Sequence, residues 1–259
     1  MKIKDALNRG TMLLKGEDLD SPKMKARLLL QDALQKPRQY LLVHDDEKLD
    51  EEVEAKFFSN VEKVKNGMPI EHITNYKEFM KLGFFVDNNV LIPRQDTEII
   101  VEEAIAIAKR INAKNFLDLC TGSGAIGISI AKYIDNSQVV ATDISPKALQ
   151  IAKKNATING VENRVTFIES DLFENIGATK FDMIISNPPY IKKDVIKKLS
   201  KQVQKEPVIA LNGGYLCFEI GYDQKEDVIK LLEQEGIFSN IYSKKDLCDK
   251  DRIVIAKVH

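Results

Sequence analysis

The chain opens with apolar residues that recur at helical spacing. Over residues 1–66 they return every three or four positions, which is the period of a helix with one buried face. Ser21-Pro22 marks a helix start, with serine as the cap and proline in the first turn. Gly67 then interrupts the pattern. Residues 1–72 are therefore predicted to form a small helical domain.

Residues 73–92 change to β-forming residues broken by turn formers. Aromatic and branched residues lie on both sides of the sequence Asp87-Asn88-Asn89, which is typical of a hairpin. We predict two strands around that turn and interpret the hairpin as a linker between domains.

Residues 93–259 alternate apolar strands with amphipathic helices. A first helix is predicted from Ile99 to Ile111, with Asp96 or Thr97 as its cap. Strands are predicted at Asn115–Leu119, Val139–Thr142, Val165–Glu169, Phe181–Ser186 and Tyr215–Ile220. Helices are predicted at Ala125–Tyr133, Ser145–Asn159 and Asp223–Glu235. This alternation indicates a parallel sheet with helices on both faces.

Two further apolar runs follow, Phe238–Tyr242 and Arg252–Val258. Too few residues separate them for a crossover helix, so they should pair antiparallel. The predicted fold class is α/β, with a Rossmann-like, mostly parallel sheet and an antiparallel C-terminal strand.

Composition excludes several classes of function. The 38 basic and 39 acidic residues nearly balance, which argues against broad nucleic-acid binding. No apolar run approaches the roughly 20 residues that a membrane-spanning helix needs, and the N-terminus lacks a secretion signal. The cysteines Cys120, Cys217 and Cys248 show no paired spacing. We therefore expect a cytoplasmic protein with reduced thiols and no metal site.

A glycine-rich loop follows the first strand of the sheet. It begins after Asp118 and contains Cys120, Thr121, Gly122, Ser123 and Gly124. Glycines permit tight turns and close approach of a ligand. Ligands of open α/β sheets bind at the carboxyl ends of strands, where Asp143 also lies, placed to bind both hydroxyls of a ribose. A nucleoside cofactor is expected.

The spacing Gly122-x-Gly124-x-x-Gly127 also satisfies the dinucleotide fingerprint, which keeps NAD as an alternative. Asp118, directly beneath the loop, suits a cationic amino-acid ligand better than a pyrophosphate. The antiparallel tail strand also departs from the usual dinucleotide fold. We therefore favour S-adenosylmethionine, which has an ammonium, a sulfonium and a ribose but no phosphate. A glycine turn without a ligand is the third interpretation.

The third strand is followed by Asp171 and Leu172. Asp171 is placed to accept a hydrogen bond from an adenine amino group, with Leu172 packed on the ring. A turn cap is nearly as good an interpretation of Asp171.

Another strand ends in Asn187-Pro188-Pro189-Tyr190. The prolines fix φ and push Asn187 out of helical space, so its amide is held extended just past the strand. That amide can pair with another planar NH2 group, on which Tyr190 can stack. The arrangement favours transfer of a group to an amide or amino nitrogen, although a proline-rich turn alone has the same sequence.

Together these residues resemble the class I S-adenosylmethionine-dependent methyltransferases that carry Asn-Pro-Pro-Tyr and methylate planar nitrogens. Matches at Ser21–Leu30, Ile92–Glu98, Lys245–Leu247 and Asp251-Arg252 extend the similarity over nearly the whole chain. The sequence is thereby identified as similar to the peptide chain release factor glutamine methyltransferases, the HemK/PrmC family. The resemblance implies the class I methyltransferase fold.

The resemblance also implies a reaction and its residues. Cys120–Gly124, Asp143, Leu172 and Asn187 would bind S-adenosylmethionine, which leaves as S-adenosylhomocysteine. Asn187–Tyr190 would bind the glutamine of the Gly-Gly-Gln motif in a release factor, whose side-chain nitrogen is methylated. We expect the oxygens of Asn187 and Pro188 to accept the amide N–H bonds, and Tyr190 to pack on the amide. The helical domain and hairpin would engage the release factor, and association with the ribosome is a further expectation.

Three departures from the family are visible. Gln95 stands where proline is usual, and Cys120 where glycine is common; both changes look tolerable. Before Tyr215 the family normally has a further helix and a second glycine turn. Here the two glycine turns are fused, and that helix is absent from the sequence.

Other interpretations remain at this point. A basic run, Lys192–Lys205, is by default a solvated helix face, with docking to an acidic protein surface or ribosomal RNA as the alternative. The same motif serves nucleic-acid amino methyltransferases and enzymes that modify a ribosomal protein glutamine. An inactive S-adenosylmethionine-binding module belongs to a different class.

Overall fold

The computed structural model describes residues 1–16, 20–177, 180–188 and 213–259. They form two compact units, Met1–Tyr76 and Lys77–His259. The predictions for Pro189, Tyr190 and the basic run Lys192–Lys205 lie outside the described residues. Within the described part, no helix is both long and apolar enough to cross a membrane.

Helices form the first unit, as predicted. They are α1 (Ile3–Leu13), α2 (Pro22–Leu34), α3 (Arg38–Val43), α4 (Glu51–Lys65) and α5 (Ile70–Thr74). Their apolar faces meet in one core that includes Ile3, Leu29, Leu30, Phe57 and Val61. Burial of these side chains, at roughly 1.5–3 kcal/mol each, accounts for the helical spacing of the sequence.

The start of α2 differs from its prediction. Pro22 is the first residue of the helix, but Ser21 has a left-handed backbone, with φ of 51°, and its side chain accepts no capping hydrogen bond. A side-chain cap needs an extended backbone at that position. The Ser21 carbonyl instead accepts from the backbone N–H groups of Met24 and Lys25. The predicted serine cap is wrong for this reason.

A hairpin opens the second unit, but its turn is not the predicted one. β1 (Lys77–Phe79) and β2 (Leu82–Phe84) pair antiparallel. The turn between them is Met80-Lys81, whose φ values are 50° and 58°. Asp87-Asn88-Asn89 follows the hairpin instead. The turn prediction was wrong because two adjacent turn residues with positive φ are usually glycine, asparagine or aspartate.

Contacts from the rest of the second unit stabilise this unusual turn. Glu98 Oε1 accepts from the backbone N–H of Met80 at 2.6 Å. The Tyr133 hydroxyl donates to the Met80 carbonyl. Both Phe79 and Phe84 are buried in the core of the second unit.

A seven-stranded sheet organises the described part of the second unit. Its strands are β3 (Asn115–Leu119), β4 (Gln138–Asp143), β5 (Val165–Glu169), β6 (Met183–Ser186), β7 (Tyr215–Glu219), β8 (Phe238–Lys245) and β9 (Asp251–Val258). The order across the sheet is β5-β4-β3-β6-β7-β9-β8. The first five are parallel, and β9 is antiparallel to both β7 and β8. The predicted mostly parallel sheet with an antiparallel C-terminal strand is confirmed.

Helices cover both faces of the sheet. They are α6 (Glu98–Ile111), α7 (Ala125–Tyr133), α8 (Pro146–Ile158) and α9 (Lys225–Glu235), with short 3-10 helices at Gln95–Thr97 and Glu162–Arg164. Alternate strand residues enter different cores: Phe116 packs with α6 and α7, and Leu117 packs with α9. All residues of β6 and β7 are buried, as continuous apolar runs in parallel sheets require.

Candidate active site

The register of the parallel strands brings the predicted site residues to one edge of the sheet. Leu119 lies opposite Thr142 on one side and Ser186 on the other. Cys120 therefore leaves the sheet between Asp143 and Asn187. Carboxyl ends of parallel strands form the usual ligand site of such sheets. Across this edge the order is Asp171, Asp143, Cys120, Asn187 and Glu219.

The glycine loop folds back over the end of β3. Gly122 and Gly124 have φ values of 54° and 83°, in the left-handed region that favours glycine. A Cβ on Gly124 would lie 2.6 Å from Ile128 Cδ1. Cys120 also has a positive φ, 58°, which gives a physical reason why glycine would be favoured there. Thr121 and Ser123 are buried within the loop.

Asp118 lies beneath the loop and is 1% exposed. Its Oδ2 accepts from the Thr121 hydroxyl at 2.5 Å and from the Gly127 backbone N–H at 2.9 Å. Oδ1 is buried without a hydrogen-bond partner in the described part of the chain. Burial raises the pKa of Asp118 to about 7. The orphaned carboxylate oxygen fits a ligand that brings positive charge or N–H donors, and fits a pyrophosphate poorly.

Asp143 ends β4 and connects two loops. Its Oδ2 accepts from the Gly122 backbone N–H, and its Oδ1 accepts from the Ser145 backbone N–H, both at 2.9 Å. The side chain is partly exposed, so each oxygen keeps a lone pair for a ligand hydroxyl.

Asp171 and Leu172 lie at the far end of the same edge. Asp171 is exposed, and its carbonyl accepts from the Glu174 backbone N–H. Leu172 is partly buried and packs against the core beneath the sheet, with φ of 53°. Burial raises the pKa of the Cys120 thiol to about 12, and Asp143, Asp118 and Asp171 add to the rise. The edge is therefore acidic, and Cys120 is a neutral thiol within it.

Asn187 follows β6 directly beside the glycine loop. Its Nδ2 donates to the Thr97 hydroxyl oxygen at 3.3 Å, and Pro188 is buried. The Ser186 hydroxyl donates to the Leu119 carbonyl at 2.8 Å, which ties the two strand ends together. Of the predicted acceptor residues, the structure thus places Asn187 and Pro188 next to the predicted cofactor loop.

Sequence reasoning missed three polar residues that lie at this edge or contact its loops. Thr97 was expected only as a helix cap, and it stands at the cap position of α6 without a side-chain capping bond. Glu219 ends the otherwise apolar strand β7 and is 6% exposed. Asn155 is fully buried and donates to the Ser123 carbonyl at 2.8 Å. A glutamate in a wholly buried strand was the signal available in the sequence.

Comparison with known proteins gives the family. Residues 5–74 match the model of the PrmC N-terminal domain, and residues 96–218 match that of the methyltransferase small domain. The release factor glutamine methyltransferase of Clostridium acetobutylicum is 38% identical, over 99% of this chain and 98% of that protein. The chain belongs to the release factor glutamine methyltransferase family. The family member from Clostridium botulinum is also 38% identical, over 99% of both chains.

The alignment with the C. acetobutylicum family member covers 281 positions, more than the 259 residues of this chain. That protein therefore contains residues without a counterpart here. Among solved structures, a ribosomal protein L11 methylase from Lactobacillus delbrueckii subsp. bulgaricus superposes with a TM-score of 0.52. It is 24% identical and covers 64% of this chain and 81% of its own. This likeness shows that the chain shares its fold with that methylase.

Proposed function

We propose that this protein transfers a methyl group from S-adenosylmethionine to the side-chain amide nitrogen of the Gly-Gly-Gln glutamine in a peptide chain release factor. Membership of the family supports the reaction. The observation that carries it in the structure is the position of Asn187 beside the glycine loop, on neighbouring strand ends. A transferable group and its acceptor would thus meet at one edge of the sheet.

The cofactor would be held by the loop residues Cys120–Gly124, by Asp143 and Asp118, and by Asp171 and Leu172. The acidic edge and the orphaned oxygen of Asp118 fit a cationic ligand. Asp143 would bind the ribose hydroxyls, and Asp171 with Leu172 would hold the adenine. When bound, S-adenosylmethionine supplies an electrophilic methyl group on a positively charged sulfur.

The acceptor glutamine would be held by Asn187–Tyr190. An amide nitrogen is a poor nucleophile because its lone pair is delocalised into the carbonyl. Asn187 Oδ1 and the Pro188 carbonyl would accept its two N–H bonds, fix its orientation and stabilise the positive charge that develops on it. Tyr190 would pack on the amide plane. The nitrogen becomes acidic once it is alkylated, so its proton can pass to water.

The mode of substrate recognition and the cellular location are part of the same proposal. The release factor would be recognised through the helical first unit and the hairpin, in the cytoplasm and in association with the ribosome. The near balance of 38 basic and 39 acidic residues supports a protein substrate over a nucleic acid.

Methylation of purified release factors tests the proposal. Methyl-labelled S-adenosylmethionine is incubated with a release factor and with its Gln→Ala variant in the Gly-Gly-Gln motif. We expect label only in the unaltered factor. Label in both factors, or only in ribosomal protein or nucleic acid, would overturn the proposal.

A second arm tests the acceptor residues. Asn187→Ala should reduce kcat by about a hundredfold or more, a typical loss for one preorganised donor or acceptor at a reacting centre. Binding of S-adenosylmethionine should change far less. The matched control is Asn163→Ala, since Asn163 is exposed on a short 3-10 helix. A rate near wild type in Asn187→Ala would remove this part of the mechanism.

A further inference from the structure

Three polar side chains are neighbours at this edge of the sheet, and one of them belongs to the proposed acceptor site. Asn187, Thr97 and Glu219 come from the end of β6, the start of α6 and the end of β7. The geometry points to a positioning role for Thr97 and Glu219: they orient the Asn187 amide so that its oxygen faces the acceptor nitrogen. This inference rests on the proposed function.

The direction of the hydrogen bonds fixes the orientation. Asn187 Nδ2 donates to Thr97 Oγ1 at 3.3 Å, and the Glu219 carboxyl group lies close enough to the Thr97 hydroxyl for that hydroxyl to lower its pKa. Because the Thr97 hydroxyl oxygen accepts from Asn187, its single proton points elsewhere, and the neighbouring Glu219 carboxyl group offers an acceptor for it. Only its lone pairs then face Asn187, and these accept from NH2 but repel a carbonyl oxygen. Asn187 Oδ1 is therefore turned away from Thr97.

Glu219 is poorly explained by stability alone. Its side chain is 6% exposed, and Oε2 has no hydrogen-bond partner in the described part of the chain. Burying a charge without full pairing is costly. Burial, with a smaller contribution from Asp96, raises the pKa of Glu219 above its ordinary value, and Thr97, Arg252 and Arg94 offset only part of the rise.

Further contacts hold the start of α6 at this place. The Arg252 guanidinium lies 2.8 Å from Asp246 and 3.3 Å from Asp96, the neighbour of Thr97. Thr97 itself is 4% exposed. The hydroxyl thus has little freedom to leave the line between Asn187 and Glu219.

Thr97→Val and Thr97→Ser form the first test. Valine keeps the shape and removes the hydroxyl, so Asn187 loses its fixed orientation. We expect kcat to fall about tenfold or more, equivalent to roughly one net hydrogen bond, with the affinity for S-adenosylmethionine unchanged. Serine should restore most of the rate. Thr157→Val is the matched control, because Thr157 is exposed on α8.

Glu219→Gln separates positioning from stability. A glutamine side chain can donate as well as accept, so it no longer dictates the direction of the Thr97 hydroxyl. The expected result is a lower kcat with a Tm that is equal or higher, since a buried carboxyl group that is not fully paired is replaced by a neutral amide. A purely structural role predicts that Tm and kcat fall together, and that result overturns the inference.

A spectroscopic measurement keeps this test independent of catalysis. In protein labelled with 15N-asparagine, the Asn187 NH2 signals are assigned by their loss in Asn187→Ala. They should shift, and exchange faster with water, in Thr97→Val. Unchanged signals overturn the inference even if activity is lost. If release factors are not methylated at all, the proposed function fails, and these signals still report the orientation.

A double-mutant cycle completes the design. In the Asn187→Ala background, Thr97→Val should cause no additional loss of rate, because both changes act through one group. Additive losses would show that Thr97 acts elsewhere and would also overturn the inference.

Discussion

The Gly127 backbone N–H donates to Asp118 Oδ2 at 2.9 Å, and a Cβ on Gly127 would lie 2.9 Å from the same oxygen. Helix α7 therefore lies so close to Asp118 of strand β3 at this point that a side chain has no room. A side chain at Gly127 would press on a buried carboxylate and on Val139, whose Cγ1 would be 3.1 Å away.

Gly127→Ala should for this reason destabilise the protein. Overpacking of this kind costs about 1–3 kcal/mol, measured as the free energy of unfolding in urea. Gly177→Ala is the control, because a Cβ at Gly177 meets nothing within 4 Å; its effect should stay within about 0.5 kcal/mol. Equal stability of the two variants would contradict the close approach.

Asp118 should make the stability depend on pH. Its pKa is about 7 in the folded protein, against an ordinary value of 3.8. Between these values the folded protein holds a proton that the unfolded chain has released. The free energy of unfolding contributed by Asp118 therefore falls as pH rises through this window and levels off above it.

Asp118→Asn isolates that contribution, because the amide oxygen can still accept from Gly127 and Thr121. The difference in unfolding free energy, wild type minus variant, should decline by up to about 1.4 kcal/mol per pH unit between pH ~5 and ~7. Urea titrations of cofactor-free protein at several pH values measure it. A difference that does not vary with pH would rule out the raised pKa.

Asp143→Ala should weaken the binding of S-adenosylmethionine. The change removes the proposed ribose acceptor and also the acceptor for the Gly122 and Ser145 N–H groups. We expect the Kd to rise about tenfold or more, which corresponds to ~1.4 kcal/mol. Isothermal titration calorimetry measures it. Asp135→Ala, on an exposed turn, should leave the Kd unchanged; a similar Kd in both variants would argue against a cofactor at this edge.

Asn155→Ala should destabilise the glycine loop, because the Asn155 side chain is hydrogen-bonded to it. The side chain accepts from the Phe85 N–H at 2.7 Å and donates to the carbonyls of Phe85 and Ser123 at 2.9 and 2.8 Å. Each buried group left unpaired costs about 1–3 kcal/mol, so we expect a loss of at least ~3 kcal/mol in unfolding free energy. A Tm close to wild type would show that water or a neighbour replaces these bonds.

The sheet was largely predictable because its elements are separated clearly in the sequence. β3, β5 and α7 begin and end where the apolar pattern places them. The hairpin turn was not predictable, since Met80 and Lys81 are ordinary residues held in left-handed conformations by Glu98 and Tyr133. Those contacts come from residues distant in the chain, which local turn preferences do not include.

The residues of the candidate site were likewise only partly predictable from the sequence. Asp118, Asp143 and Asn187 each stand at or just beyond a predicted strand end, so their meeting follows from the parallel sheet. Thr97 and Asn155 act through contacts with residues 90 and 70 positions away, and neither stands at a strand end.

The last strand of the described sheet, β9, lies between two strands that precede it in the chain. While the ribosome is still making β8, the wholly buried and mostly apolar β7 therefore has an uncovered edge, which is a template for aggregation. Arg252 belongs to β9, and the Ile220 N–H donates to its carbonyl. The acceptor half of the site thus cannot be completed in a nascent chain until synthesis passes β9, and chaperones that shield bare strand edges would have their greatest effect in that interval.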